Sequence, residues 1–127
     1  MSSALKGIKV VDLTRTLAGP FSTMMLADLG AEVIKIEEPT QGDETRKWPP
    51  FWGGESANFM SFNRNKRSLS VNLKSPEGIE IIKSLVKDAD IIIESFRAGA
   101  LDKMGLGYAD VRDINPEIIY CSISGYG

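Results

Sequence analysis

Two hydrophobic patterns alternate along this chain of 127 residues, and the alternation restricts its fold more than any other feature. Short runs rich in β-branched residues predict five strands. They cover residues 8–13, 32–37, 68–73, 90–94 and 118–123. Apolar residues at helical spacing predict intervening helices over residues 20–29, 76–87 and 108–114, and a helical turn is expected over residues 99–104. Because strands that alternate with helices form parallel sheets, we expect a parallel α/β fold.

Several element boundaries carry a specific signal. Pro20 suits the first position of a helix, and Gly30 suits a left-handed cap at its end. Ser75 is a good N-cap for the next helix. The irregular stretch over residues 38–67 is long for a connection, and we expect a short helix near residues 56–62 within it.

Composition excludes several classes of function. The net charge of −2 argues against a nucleic-acid-binding protein. With one cysteine and no histidine, the chain has no disulfide partner, no set of cysteines or histidines for zinc, and no Ser-His-Asp triad, so we expect no metal site. The longest apolar run, residues 91–93, is far too short to cross a membrane. The start of the chain resembles no signal peptide, so we expect a reducing compartment, the cytoplasm or an organelle matrix.

The sulfur-containing side chains are predicted to be structural. Met24, Met25 and Met104 are expected to fill the core, and Cys121 is expected to be a buried, inert thiol in the fifth strand.

The turns that follow the strands are the candidate binding segments, since ligands of open parallel sheets bind at the carboxyl ends of the strands. Lys74 follows the third predicted strand and is a candidate anion ligand, while Phe96 and Arg97 follow the fourth. Glu37 lies where a dinucleotide-binding enzyme holds a ribose hydroxyl. The glycine fingerprint is absent, which favours an ordinary charged strand end.

One question stays open from the residues alone. The basic cluster of Arg64, Lys66 and Arg67 is either a solvated loop or an anion site.

No two side chains form a recognisable pair of a nucleophile and a general base, so we expect no catalytic residue in this chain. The last strand is followed by no covering helix, which predicts that residues 1–127 are a fragment of a larger domain.

Taken together, the motifs resemble the opening of class III CoA-transferases, the CaiB/BaiF family. The matching segments are Leu5-x-Gly7 through Gly19-Pro20, residues 27–37, Gly42-Asp43-x-x-Arg46, residues 63–68, Lys74-x-Pro76-x-Gly78, Glu94-x-Phe96-Arg97-x-Gly99, residues 104–108 and residues 122–127. This resemblance covers the chain with consistent spacing.

The resemblance implies a large Rossmann-like domain, an interlocked homodimer, and transfer of coenzyme A between an acyl-CoA and a carboxylic acid. An aspartate beyond this chain would be the nucleophile and would form an aspartyl-CoA intermediate. Coenzyme A and acyl-CoA would be substrates, with no tightly bound cofactor. By position, the residues implied to contact coenzyme A are Leu17, Ala18, Val71, Asn72, Leu73, Lys74, Ser95, Phe96, Arg97 and Lys103.

The chain departs from formyl-CoA transferase at two positions. That enzyme carries glutamine where Leu17 stands and a basic residue where Glu38 stands, so the resemblance favours donors such as succinyl-CoA over formyl or oxalate substrates. Two alternatives remain at this point. One is a racemase of acyl-CoA thioesters from the same superfamily, and the other is a stand-alone nucleotide-binding module without catalysis.

Overall fold

Five parallel strands form the centre of the computed structural model, which describes residues 3–126. The strands of this sheet are β1 (Lys9–Leu13), β2 (Glu32–Glu37), β5 (Arg67–Ser70), β6 (Ile91–Glu94) and β7 (Ile119–Ser122), while β3 (Phe51–Trp52) and β4 (Glu55–Ser56) form a separate antiparallel hairpin. The helices are α1 (Ala18–Asp28), α2 (Ala57–Asn63), α3 (Pro76–Lys87), α4 (Ala100–Lys103) and α5 (Tyr108–Ile114), with a 3₁₀ turn over Glu44–Lys47.

The strand order is β5-β2-β1-β6-β7, and every neighbouring pair is parallel. Val10 of β1 lies in register with Val33 on one side and with Ile91 on the other. The order reverses direction between β1 and β6, which is the arrangement of Rossmann-like sheets. The parallel α/β prediction is therefore confirmed.

The central strands β1, β2 and β6 are largely buried on both faces, which explains their mostly apolar runs. Ile92 packs on one face with Ile82 of α3 and Val111 of α5, and all three are fully buried. Val10 and Val33 pack on the opposite face in a smaller cluster. Two layers of helices thus fix the strands, and the strands in turn fix the turns at their carboxyl ends.

The capping signals explain where the helices begin and end. The Ser75 hydroxyl accepts a hydrogen bond from the Gly78 amide at 3.1 Å, as predicted for an N-cap. Gly30 has a φ of +98°, which confirms the left-handed cap of α1. The prediction that Pro20 begins α1 is wrong, because the helix begins two residues earlier at Ala18. Pro20 still lies in the first turn, where an amide would have no intrahelical acceptor.

Three further predictions need correction. Met25 is half exposed on α1, whereas Met24 is buried as predicted. Cys121 is exposed rather than buried, because β7 is an edge strand of the sheet that the structure describes. Strand β5 ends at Ser70, since the Asn72 side chain accepts the Lys74 amide at 3.0 Å and forms a turn. None of the helices within residues 3–126 has the length and hydropathy needed to cross a membrane.

Candidate functional site

The turns after β1, β2, β5 and β6 meet at one edge of the sheet and enclose a cleft of about 220 Å³, which we call the central cleft. Its lining residues are Leu13, Arg15, Ile36, Glu37, Glu38, Val71, Asn72, Leu73, Lys74, Phe96 and Met104. Most of these residues are apolar, and the exposed Arg15, Glu38 and Lys74 contribute charge. A pocket of this composition at the carboxyl ends of parallel strands is a typical ligand site.

The structure brings half of the predicted contact residues into this cleft. Val71, Asn72, Leu73, Lys74 and Phe96 line it. Phe96 also lines a neighbouring cleft with Ser95, Arg97 and residues 123–126, so the two clefts adjoin at this ring. Leu17, Ala18 and Lys103 are exposed, but they line neither cleft. Their contact with a ligand stays a prediction.

Arg15 is a cation at this edge that the sequence analysis missed. Its guanidinium carbon lies 4.8 Å from the centroid of the Phe96 ring, and its backbone amide donates to Ser95 Oγ at 3.0 Å. Arg15 and Lys74 both line the central cleft and a further cleft beside Glu38. The signal that could have found it is its position directly after the first strand. Two cations beside an aromatic ring suit an anionic ligand with a planar group.

Both glutamates at the end of β2 have partners within the chain. Arg46 donates to the two carboxylate oxygens of Glu37, each at 2.7 Å. Burial raises the pKa of Glu37, but these bonds and one from Ser68 outweigh it and lower the pKa to about 2. Glu37 therefore stabilises the segment that carries Arg46, and its carboxylate is not available to bind a ribose hydroxyl. The Thr40 hydroxyl, together with backbone amides, lowers the pKa of Glu38.

The basic cluster separates into three ion pairs instead of one anion site. Arg64 pairs with Asp28 at 2.6 Å and Arg67 pairs with Glu32 at 3.0 Å, both near the surface. Lys66 is buried, so this residue fits neither the anion site nor the solvated loop.

Two buried lysine–aspartate pairs lie beneath the turn that follows β1, and we call them the two buried pairs. Lys35 Nζ lies 2.8 Å from Asp43 Oδ2, and Lys66 Nζ lies 3.1 Å from Asp12 Oδ2. The four side chains are at most 2% exposed. Burial lowers the pKa of Lys66 to about 8, although the Asp12 charge opposes that shift. Burial raises the pKa of Asp43, but Lys35 outweighs it and the net pKa is lowered.

Another cleft, of about 160 Å³, lies at the opposite edge of the sheet, near Lys9 and Asp88. None of the predicted contact residues lines it. The Lys9 amide donates to the Asp90 carboxylate at 2.8 Å nearby, so part of its polar rim is already paired. The carboxyl edge is therefore the better candidate.

Known proteins share the sequence and the fold of this chain. The profile of the family described as CoA-transferase family III matches residues 5–127. The chain is 58% identical over 124 residues to the succinyl-CoA:glutarate CoA-transferase of Homo sapiens. This match covers 97% of this chain and 28% of that protein. It is 49% identical over 130 residues to the succinate–glutarate CoA-transferase of Agrobacterium fabrum, covering 97% of this chain and 32% of that protein.

A solved structure of a CaiB/BaiF family protein from Brucella suis superposes with a TM-score of 0.94 and 47% identity. The match covers 100% of this chain and 35% of that one. The chain thus spans about a third of the length of the relatives it matches. Since the family profile matches nearly all of its residues, the chain belongs to CoA-transferase family III.

Proposed function

We propose that this chain is the N-terminal part of an enzyme that moves coenzyme A from an acyl-CoA to a carboxylic acid. Its relatives are named as CoA-transferases, which supports the reaction class. The single observation that carries the proposal is the central cleft, where a family III chain places Arg15 and Lys74 at the carboxyl edge of its sheet.

The chemistry of the cleft suits coenzyme A. The phosphates need cations, which Arg15, Lys74 and Arg97 supply at the rim of the adjoining clefts. The adenine ring needs an aromatic or guanidinium face, and Phe96 with Arg15 offers both. The apolar side chains of Leu13, Val71, Leu73 and Met104 suit the aliphatic pantetheine arm. Contacts of the ligand with Leu17, Ala18 and Lys103 remain part of the proposal.

The nucleophilic aspartate lies outside this chain in our proposal. Asp12 and Asp43 are the aspartates beneath the carboxyl edge, and each is buried and paired with a lysine. An external aspartate oxygen would attack the donor thioester carbonyl, which forms an anhydride and releases the CoA thiolate. The thiolate would then attack the aspartyl carbonyl, which forms aspartyl-CoA and releases the donor acid. The acceptor acid reverses the two steps.

We propose a donor such as succinyl-CoA. The first support is Leu17, which replaces the glutamine of formyl-CoA transferase. The second is the set of relatives named succinyl-CoA:glutarate and succinyl-CoA:mesaconate CoA-transferases.

The assembly of the complete enzyme is also a proposal. Trp52 and Phe51 of the β3–β4 hairpin are 80% and 55% exposed, and Ile119 on β7 is 61% exposed. Apolar groups this exposed are often covered by a partner or by further polypeptide, which agrees with the interlocked homodimer that the resemblance implies. Light scattering on the complete protein would test this. The cytoplasm or an organelle matrix stays the expected compartment.

The test is calorimetric titration of coenzyme A into the complete protein and into Lys74→Ala and Arg97→Ala variants. We expect each variant to bind roughly tenfold more weakly, because each loses a charge-assisted contact to phosphate. Lys83→Ala is the matched control, since Lys83 pairs with Glu80 on α3 and lines none of these clefts. Unchanged affinity in both test variants would remove the proposed site.

Activity assays separate the alternatives. The complete protein should move coenzyme A from succinyl-CoA to a dicarboxylic acid, while residues 1–127 alone should transfer none. Exchange of an α-proton with deuterated water, without transfer, would indicate the racemase instead. Coenzyme A affinity with neither activity in the complete protein would indicate a binding module.

A further inference from the structure

The turn after β1 is held at both ends by the lysines of the two buried pairs. Lys35 Nζ donates to the carbonyl of Thr14 at 3.1 Å, where the turn begins. Lys66 Nζ donates to the carbonyl of Pro20 at 2.9 Å, in the first turn of α1. Both ends of the segment that carries Arg15 are therefore tied to buried positive charges.

The aspartates of the same pairs hold the amides of the turn. Asp12 Oδ1 accepts the Thr14 amide at 2.9 Å, and Asp43 Oδ2 accepts the Thr16 amide at 3.3 Å. Asp43 Oδ1 accepts the amide and the hydroxyl of Thr45 at 3.0 and 2.7 Å, so both of its oxygens are occupied. An asparagine at position 43 would thus point its NH₂ group at existing donors.

The backbone of Thr16 is strained, so the turn after β1 requires stabilising contacts. Its φ is +71°, a left-handed conformation that a β-branched residue rarely adopts. Its hydroxyl donates to Glu44 Oε1 at 2.8 Å, and its amide is the one that Asp43 accepts. Such strain persists only where surrounding groups enforce it, and it is concentrated at functional sites.

Stability alone gives little reason for two buried ion pairs at this place. Replacing a buried pair with apolar groups is often neutral or stabilising, whereas a buried pair can specify one conformation. Here both pairs converge on the backbone of the turn that presents Arg15 to the central cleft.

We propose that the two buried pairs, Lys35–Asp43 and Lys66–Asp12, are positioning residues that hold the turn after β1 in the strained conformation that binds coenzyme A. The inference rests on the proposed function for its ligand. The four side chains line none of the clefts at this edge, and they act through the placement of Arg15 and of the start of α1.

The test compares three variants of the complete protein by calorimetric titration of coenzyme A. Asp43→Asn should weaken binding roughly tenfold, the loss of about one charge-assisted contact. Lys35→Met combined with Asp43→Asn leaves no unpaired lysine charge, so this protein should unfold at a higher temperature than Asp43→Asn alone and still bind coenzyme A more weakly than the parent. Adding Thr16→Gly to that pair should restore affinity to within about threefold, because glycine adopts a φ of +71° without strain.

Two controls separate positioning from general damage. Asp28→Asn removes a carboxylate from the exposed pair with Arg64, and Val111→Ala loosens the core under α5. Both should retain parental affinity, even though Val111→Ala lowers the unfolding temperature. Parental affinity in the double variant, or no rescue by Thr16→Gly, would overturn the positioning role. A parent protein that does not bind coenzyme A would instead overturn the proposed function.

Discussion

Gly78→Ala sets two physical effects against each other at the candidate site. Gly78 is the third residue of α3, and a Cβ built there would lie 1.9 Å from the Asn72 carbonyl oxygen. Ordinary contact would require the backbone to move by more than about 1 Å. The atom in the way is backbone, so no side-chain rotation relieves the clash. Asn72 would have to move, and it lines the central cleft beside Lys74.

The relative size of these two effects decides whether Gly78→Ala stabilises or destabilises the protein. Alanine is favoured over glycine within a helix by up to about 1 kcal/mol, so propensity alone predicts stabilisation. Overpacking costs about 1–3 kcal/mol, and the carbonyl that must move also accepts the Ser75 amide and hydroxyl at 3.2 and 3.1 Å. We therefore expect net destabilisation of about 1–2 kcal/mol, together with weaker binding of coenzyme A.

The assay is chemical denaturation of the complete protein, with titration of coenzyme A in parallel. Ser84→Ala is the control, since Ser84 is exposed on the same helix and should change the free energy of unfolding by less than about 0.5 kcal/mol. A Gly78→Ala protein that is more stable than its parent would refute the reasoning from close packing.

Three further predictions follow from single contacts. Ser75→Ala should lower the free energy of unfolding by about 1 kcal/mol in denaturation experiments, since it removes the acceptor of the Gly78 amide, while Ser75→Asp should not. The pKa of Glu37 is lowered from 4.5 to about 2, so its stabilising effect is complete above pH 4.5 and is lost as the pH falls toward 2. Acid titration of stability should therefore show a loss of up to about 3 kcal/mol that is absent in Glu37→Gln. Arg15→Ala should weaken coenzyme A binding roughly tenfold, and Arg15→Lys should not restore it, because lysine lacks the planar group that stacks on Phe96.

Local signals predicted most of the fold. Strand β2 and helix α5 have the bounds that periodicity and flanking residues predicted, and Ser75 is the N-cap of α3 as expected. Each of these features has a local signal in the sequence, either an apolar run or a residue that begins or ends a helix. The exposure of Met25 and Cys121 could not be predicted from local signals. It depends on which face of α1 and which edge of the sheet are covered by other elements.

The candidate site was predictable only in part. The rule for carboxyl ends of strands led to Lys74 and Phe96, which do line the central cleft. The two buried pairs join residues 8 and 54 positions apart, and no local pattern distinguishes Lys66 in such a pair from its neighbour Arg67, which pairs at the surface. Arg15 has a local signal, its position directly after the first strand, but its contact with Phe96 joins two different strand ends and could not be predicted from local sequence.

The most direct measurement is a crystal structure of the complete protein soaked with coenzyme A. We expect the phosphates within hydrogen-bonding distance of Arg15, Lys74 or Arg97, and the pantetheine arm along Val71 and Leu73. Coenzyme A bound elsewhere, for example in the opposite cleft beside Lys9 and Asp88, would contradict the assignment of this edge.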